Sequence, residues 1–238
     1  MNRVLDVAFA LFIIIAFLPF WIVLALILRC TGEGKVFYRQ SRIGLGGKEF
    51  KLIKFATMLE DIPNLGTGDI TLKNDPRVLP VGRFLRIAKI NEFPQVINLL
   101  KGDMTLVGPR PLIQRTFSFY PEHVQQEIVK LRPGLTGVGS IVFRHEERII
   151  AKSARDYLEC YKHEIAPHKG ELELWYMRNR SLWIDLKILA LTVWVVFFQD
   201  STAYRKLLNS DYSAGKQRKV CSVGQPHDMV KEIDRYRG

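Results

Sequence analysis

A chain of 238 residues, 47% hydrophobic and 25% charged, has room for one sizeable globular domain plus an extra segment, and is neither disordered throughout nor a multispan membrane protein. Its net charge of +11 and pI of about 9.7 suit an anionic partner: nucleic acid, acidic lipid or a phosphorylated substrate. Three widely spaced cysteines, Cys30, Cys160 and Cys221, argue against a disulfide framework or a zinc site and favour a reducing compartment.

Val7 to Leu28 is a run of 22 uncharged, mostly apolar residues. As a straight helix it would extend roughly 33 Å, enough to cross a bilayer. Its apolar core is too long for a signal peptide and no small-x-small cleavage site follows. Pro19 breaks the backbone ladder near the middle. Arg3 precedes the run, and Arg29, Lys35, Arg39 and Arg42 follow it. Basic residues at both ends suggest that both ends stay on the cytoplasmic side. A hairpin bent at Leu18-Pro19 satisfies both observations; a spanning helix with a proline kink is the other reading.

After Thr31–Gly34, Val36 and Tyr38 and then Phe50, Leu52, Ile53 and Phe55 predict two short extended pieces around a turn at Gly44–Gly47. That glycine cluster has the wrong spacing and context for a dinucleotide fingerprint. Lys51 and Lys54 lie in the second piece, as surface lysines or as groups reaching a phosphate. Glu60 to Pro80 reads as a long polar loop, within which Asp75-Pro76-Arg77 gathers opposite charges around a proline. Arg83, Arg86 and Lys89 would share one face of a helix, either solvated or lying on anionic lipid.

The stretch from Lys89 to Leu112 is the centre of the chain. Asn91 is a good N-cap, Pro94 suits a first turn, and Gly102 a helix end. Phe93, Val96, Ile97 and Leu100 recur at the 3.6-residue period. Glu92 falls by the positive end of this helix. Val107-Gly108-Pro109-Arg110-Pro111 follows, two prolines presenting one arginine from a stiff loop. Beyond it, Tyr120 to Leu131 predicts a helix stopped by Arg132-Pro133-Gly134. A glycine-dotted run then ends at Arg144, and a charged helical stretch that reads as solvated carries Glu146, Glu147, Arg148 and Arg155. His145-Glu146 lacks the second histidine of a metalloprotease site. Asp156 to Arg180 reads as helix interrupted by Pro167 and Gly170. Ser181 to Phe198 is an apolar helix for a core or a membrane interface, too short to span. The chain from Asn209 onward is a polar tail. No aromatic-and-basic stacking pattern supports nucleic-acid binding.

KVFYRQSRIGLGGKEFKLIKF, NDPRVLPVGRFLR, NEFPQVINLLKGDMTLVGPRP, RPGLTG and NRSLWIDLKIL, in that order, resemble the bacterial sugar transferases of the monotopic phosphoglycosyl transferase type. The likeness runs from about Asn2 to Phe198 and is closest to the small, catalytic-core members. It implies an α+β, mainly helical fold: a re-entrant membrane helix over 1–30, broken at Leu18-Pro19; a catalytic domain over 31–208 with interfacial amphipathic helices and a small β-hairpin; and a tail over 209–238. It implies transfer of a sugar-1-phosphate from a UDP-sugar to undecaprenyl phosphate, with release of UMP and Mg²⁺ as cofactor, at the cytoplasmic face of the bacterial inner membrane. It leaves a homodimer open and gives no role to nucleic acid. The residues it singles out are Glu92 for catalysis and Mg²⁺, with Asn91 beside it, and Arg110, Lys54, Arg77 and Arg144 for phosphate and substrate. Glu92 and Arg110 are expected to meet the two anionic reactants where the membrane gives way to cytosol. There are two departures. Ala56 stands where the family has an arginine, and Asn91 where it has the aspartate nucleophile. An amide cannot form the aspartyl-phosphosugar intermediate. Glu92 takes over, the lipid phosphate attacks directly, or the chain is a silent member that binds lipid or scaffolds glycan assembly; the first two rank above the third.

Overall fold

The computed structural model describes residues 3–59, 75–144, 146, 157–198 and 203. Residues 60–74 of the predicted loop over Glu60–Pro80, the charged residues Glu147, Arg148 and Arg155, and the tail from 209 lie outside them. The described residues are mainly helical, and they divide into two compact units. The N-terminal unit takes those within Asn2–Arg42 and Glu49–Met104; the C-terminal unit takes Ile43–Lys48 and those from Thr105 onward.

In the N-terminal unit, α1 (Arg3–Arg29) is one helix that continues through Pro19. It is long and apolar enough to cross a membrane. Asp6, Ala10, Leu24 and Leu28 are its buried residues, near its two ends. Ile15 to Phe20 are all exposed, and six consecutive residues cover more than a full turn, so the helix is largely uncovered there. Leu24 and Leu28 pack with Phe55 and Leu85, with Trp21, Val36, Ile90 and Phe93 around them. Burying each of those leucines is worth roughly 2 kcal/mol. Phe17 meets Phe93 edge to face at 5.7 Å. At the other end the Arg3 guanidinium donates to the carbonyls of Leu99 and Leu100, the latter at 2.6 Å. These are last-turn carbonyls of α3 (Gln95–Lys101), where a cation suits the helix dipole.

The expected hairpin is present: β1 (Phe37–Ile43) pairs with β2 (Glu49–Phe55) across the Gly44–Lys48 turn. A connection that short permits only antiparallel pairing. Asn98 of α3 reads the edge of β2 like a neighbouring strand. Its Oδ1 accepts from Ile53 N–H at 3.0 Å, and its Nδ2 donates to the Lys51 carbonyl at 2.8 Å and to Asp103 at 3.1 Å. Further details depart from the periodicity. α2 (Pro80–Ile87) ends before Lys89, whose φ of +59° turns the chain out of the helix, so Lys89 does not share the face of Arg83 and Arg86. Asn91 is not an N-cap; it lies in a 3₁₀ turn (Ile90–Glu92), and α3 begins after Pro94, closed by Gly102 as expected.

The C-terminal unit is built on a parallel pair that periodicity does not foretell. β3 (Thr105–Val107) runs beside β4 (Gly134–Thr136), Thr105 opposite Gly134 and Val107 opposite Thr136. Between them come α4 (Gln114–Phe117) and α5 (Glu122–Ile128), the crossover that parallel pairing requires. α6 (Val138–Val142) follows β4. Next come α7 (Tyr157–Cys160), a π-helical turn (Tyr161–Ile165), α8 (Ala166–Asn179) and α9 (Leu182–Phe197). Pro167 does not interrupt this stretch. It sits in the first turn of α8, and the preceding widened turn accommodates its missing N–H. Ser181 caps α9 by accepting from Ile184 N–H at 3.3 Å. Most large apolar residues of α9 are exposed, among them Trp183, Trp194 and Phe197.

Candidate functional site

The sequence-predicted residues divide between the units: Lys54, Arg77, Asn91 and Glu92 in the first, Arg110 and Arg144 in the second. The Ile90–Glu92 turn packs on β2, which carries half-buried Lys54, and on α2. Glu92 is half-buried. Asn91 is buried, and its Oδ1 has no hydrogen-bond partner among the described residues. An orphaned amide oxygen costs stability unless something outside the protein meets it.

Arg77 is buried and grips Asp75 with two nitrogens, Nε to Oδ1 at 3.0 Å and Nη2 to Oδ2 at 2.7 Å. The hydrogen bonds from Arg77 hold the Asp75 carboxyl below its ordinary range, against burial. That edge of the guanidinium is therefore already engaged. Arg86 donates to Thr57 Oγ1 at 2.9 Å and contacts Met58 Sδ at 3.0 Å, so it is not a purely solvated face residue. Lys51 lies on the surface and donates to Ser41 Oγ at 2.6 Å. Ala56 is buried.

In the second unit the Gly108–Pro111 loop continues straight out of β3. Gly108 N–H donates to Thr136 at 3.0 Å, and Gly134 N–H to the Pro109 carbonyl at 2.8 Å. Glycine is required at this crossing. A Cβ on Gly134 would fall 2.1 Å from Gly108 N, and one on Gly137 2.2 Å from the Gly108 carbonyl oxygen. Pro109 and Pro111 are buried, while Arg110 between them is exposed. Tyr176 of α8 supports the strand from behind. Its hydroxyl lies 3.2 Å from the Val107 carbonyl and 2.7 Å from Asp185 Oδ1, and burial together with that carboxylate raises its pKa. Beside Arg110 an open groove of about 260 Å³ is lined by Ile43, Gly44, Pro109, Phe117 and Pro133 among others. Arg144, just past α6, is half-buried and donates to the Ile141 carbonyl at 3.2 Å.

Beneath the loop lies a charged cluster that sequence reasoning missed. Lys169 and Glu173, one turn apart on α8, are 3% and 2% exposed. Lys169 Nζ reaches Glu146 Oε2 at 2.7 Å and lies over the rings of Phe143 and Tyr161. Burial is the largest single influence and works against its charge, but Glu146 and Tyr161 together leave its pKa raised. Burial pushes Glu173 up from 4.5 to about 7; the charge of Lys169, the N–H groups of Arg110 and Gly139, and the charge of Arg110 limit the rise. A Cβ on Gly139 would meet Glu173 Oε1 at 2.5 Å. The available signal was Lys169 and Glu173 at i, i+4 in KGELELWY, on a different helix face from Glu171.

The bacterial sugar transferase family profile matches residues 1–199. A UDP-glucose:undecaprenyl-phosphate glucose-1-phosphate transferase of Caulobacter vibrioides is 35% identical over 196 residues, covering 81% of this chain and 68% of that protein. An uncharacterized sugar transferase of Bacillus subtilis is 34% identical, over 81% of this chain and 85% of its own length. An undecaprenyl-phosphate galactose phosphotransferase of Salmonella typhimurium is 32% identical over 84% of this chain, which spans only 41% of that longer relative.

Proposed function

Since the chain belongs to the bacterial sugar transferase family, we propose that it transfers a sugar-1-phosphate from a UDP-sugar to undecaprenyl phosphate, giving undecaprenyl diphosphosugar and UMP. The observation that carries this reading is the exposed Arg110, held between two buried prolines at the end of a parallel ladder. A guanidinium presented from so stiff a support can clamp a phosphate bidentately without first being ordered. The relatives' names divide between glucose and galactose, so the sugar stays open.

An oxygen attacks the phosphorus that bears the sugar, and the bond from that phosphorus to the UMP oxygen breaks. Arg110 neutralises charge on the phosphates, and Glu92, half-buried in its own unit, supplies a carboxylate. Asn91 carries no nucleophilic oxygen, so the attacking group is the Glu92 carboxylate or the lipid phosphate itself. Mg²⁺ fits the oxygen donors of this turn. Among the described residues no three acidic, histidine or cysteine side chains gather for an all-protein metal site. Mg²⁺ commonly binds through one or two protein oxygens together with water and substrate phosphates. The Glu92 carboxylate and the orphaned Asn91 Oδ1 are such oxygens. Once bound, the ion would offset phosphate charge.

A re-entrant α1 at the cytoplasmic face of the inner membrane is supported by its contacts. Arg3 at one end and Leu28 at the other both rest on the same unit, as both ends of a helix that returns to its own side would. The exposed apolar residues of α9, with Phe84 and Ile87 of α2, suit a membrane surface.

The test is UMP release by the purified chain from UDP-glucose and UDP-galactose, then a wider panel of UDP-sugars, with undecaprenyl phosphate and Mg²⁺. Lipid-dependent UMP from at least one of them is expected; none from any would overturn the reading. Intact mass without lipid separates the two nucleophiles, since only attack by Glu92 leaves a phosphosugar on the protein.

A further inference from the structure

Glu173 is buried directly behind the arginine loop, and the proposed reaction gives it no role. Both its carboxylate oxygens are sealed from solvent, and neither has a hydrogen bond of normal geometry among the described residues. Its nearest cation in sequence, Lys169, is engaged with Glu146. Besides the charge of Lys169, what faces it is the backbone N–H of Arg110, the charge of Arg110 and the backbone N–H of Gly139. Gly139 leaves room for Oε1, and Gly137 approaches Oε2 with its would-be Cβ at 3.9 Å. The remaining titratable groups around it are Tyr120 from ahead of α5 and Tyr176 one turn along α8, both raised by burial first and by the Glu173 charge among lesser causes, and Glu146 across Lys169. His123 of α5 faces Glu171 instead, on the exposed side of α8.

We propose that Glu173 is a positioning residue for Arg110, an internal counter-anion behind the loop that takes up a proton when a substrate diphosphate claims the arginine's charge. The reasoning is reciprocal. The positive charge of Arg110 favours the ionised form of Glu173, limiting the upward push of burial. A diphosphate bound to Arg110 cancels that help and adds negative potential, so Glu173 binds a proton more readily. By linkage, the diphosphate then binds more tightly to the protonated protein. No bond other than the carboxyl O–H forms, and the proton comes from solvent. A carboxyl near pH 7 places this coupling in the working range.

The inference rests on the phosphoglycosyl transferase reading, and its test separates the two. The probe is UDP-glucose, then UDP-galactose, whose diphosphate does not titrate between pH 6 and 8. Binding to the full chain in detergent is measured by calorimetry in two buffers of different ionisation enthalpy. At pH 7 the native chain takes up a fraction of a proton on binding, and its affinity falls about fivefold from pH 6 to pH 8. In Glu173→Gln, and in Glu173→Met as a second neutral variant, uptake vanishes and affinity is flat with pH. Binding without proton uptake by the native chain, or equal uptake in a folded variant, overturns the proposal alone. Neither nucleotide sugar binding at any pH overturns the phosphate role of Arg110, and this proposal with it. Absence of proton uptake by the native chain overturns the proposal even where both variants fail to fold.

Discussion

The turn at Asn91–Glu92 and the loop at Arg110 are held in place by different means. The turn rests on side chains. Asn98 of α3 ties its helix to β2 through two hydrogen bonds, Phe93 leans on Phe17, and Arg77 is locked to Asp75. The Arg110 loop rests on backbone, a parallel ladder closed by glycines that permit no Cβ. Side-chain supports can be exchanged with modest repacking, whereas a backbone crossing cannot. In the resemblance read from the sequence, Asn91 stands where an aspartate is expected, while the GPRP loop keeps the expected pattern.

Four substitutions would break or sharpen that contrast. Glu92→Gln has the largest expected effect, lowering UMP release by about a thousandfold with folding intact, because the half-buried carboxylate is the acidic group of the turn. Turnover left unchanged would remove Glu92 from both routes of attack. Glu173→Gln comes next, read as stability against pH. The folded chain keeps this proton to about pH 7, whereas an unfolded carboxyl loses it near 4.5, so this group makes the native protein less stable as pH rises through that window. The loss amounts to about 3 kcal/mol at pH 7.5, and the amide should remove it. Denaturant midpoints at pH 5 and 7.5 check this, and an unaltered slope would show that Glu173 titrates normally. Arg110→Ala should cost about a hundredfold in kcat/KM while the melting temperature holds, since the loop's order comes from backbone. A large fall in melting temperature would instead make Arg110 a structural residue. Asn98→Ala should cost about 2 kcal/mol, because it strands Ile53 N–H and the Lys51 carbonyl at a buried site. A neutral result would mean that β2 does not depend on α3.

Much of this was legible before any coordinates. The apolar first helix, the hairpin around Gly44–Gly47, the Gly102 helix stop and the stiff Pro-Arg-Pro loop follow from local chemistry: hydrophobic run length, glycine turns and the fixed φ of proline. The family pattern picked out Glu92 and Arg110. Periodicity misplaced Asn91 as a helix cap and took Lys89 into a helix that it ends, since a single left-handed residue carries no hydrophobic signature.

The amino-acid order alone determined that a basic chain with one long apolar helix would present an arginine from a proline-stiffened loop, because those properties belong to single residues and their near neighbours. Only the folded chain decided that β3 would find β4 some thirty residues on, that Arg77 would be spent on Asp75, and that Glu173 would lie dry behind Arg110. Those outcomes depend on which distant surfaces exclude water from each other, and that is a property of packing rather than of spacing.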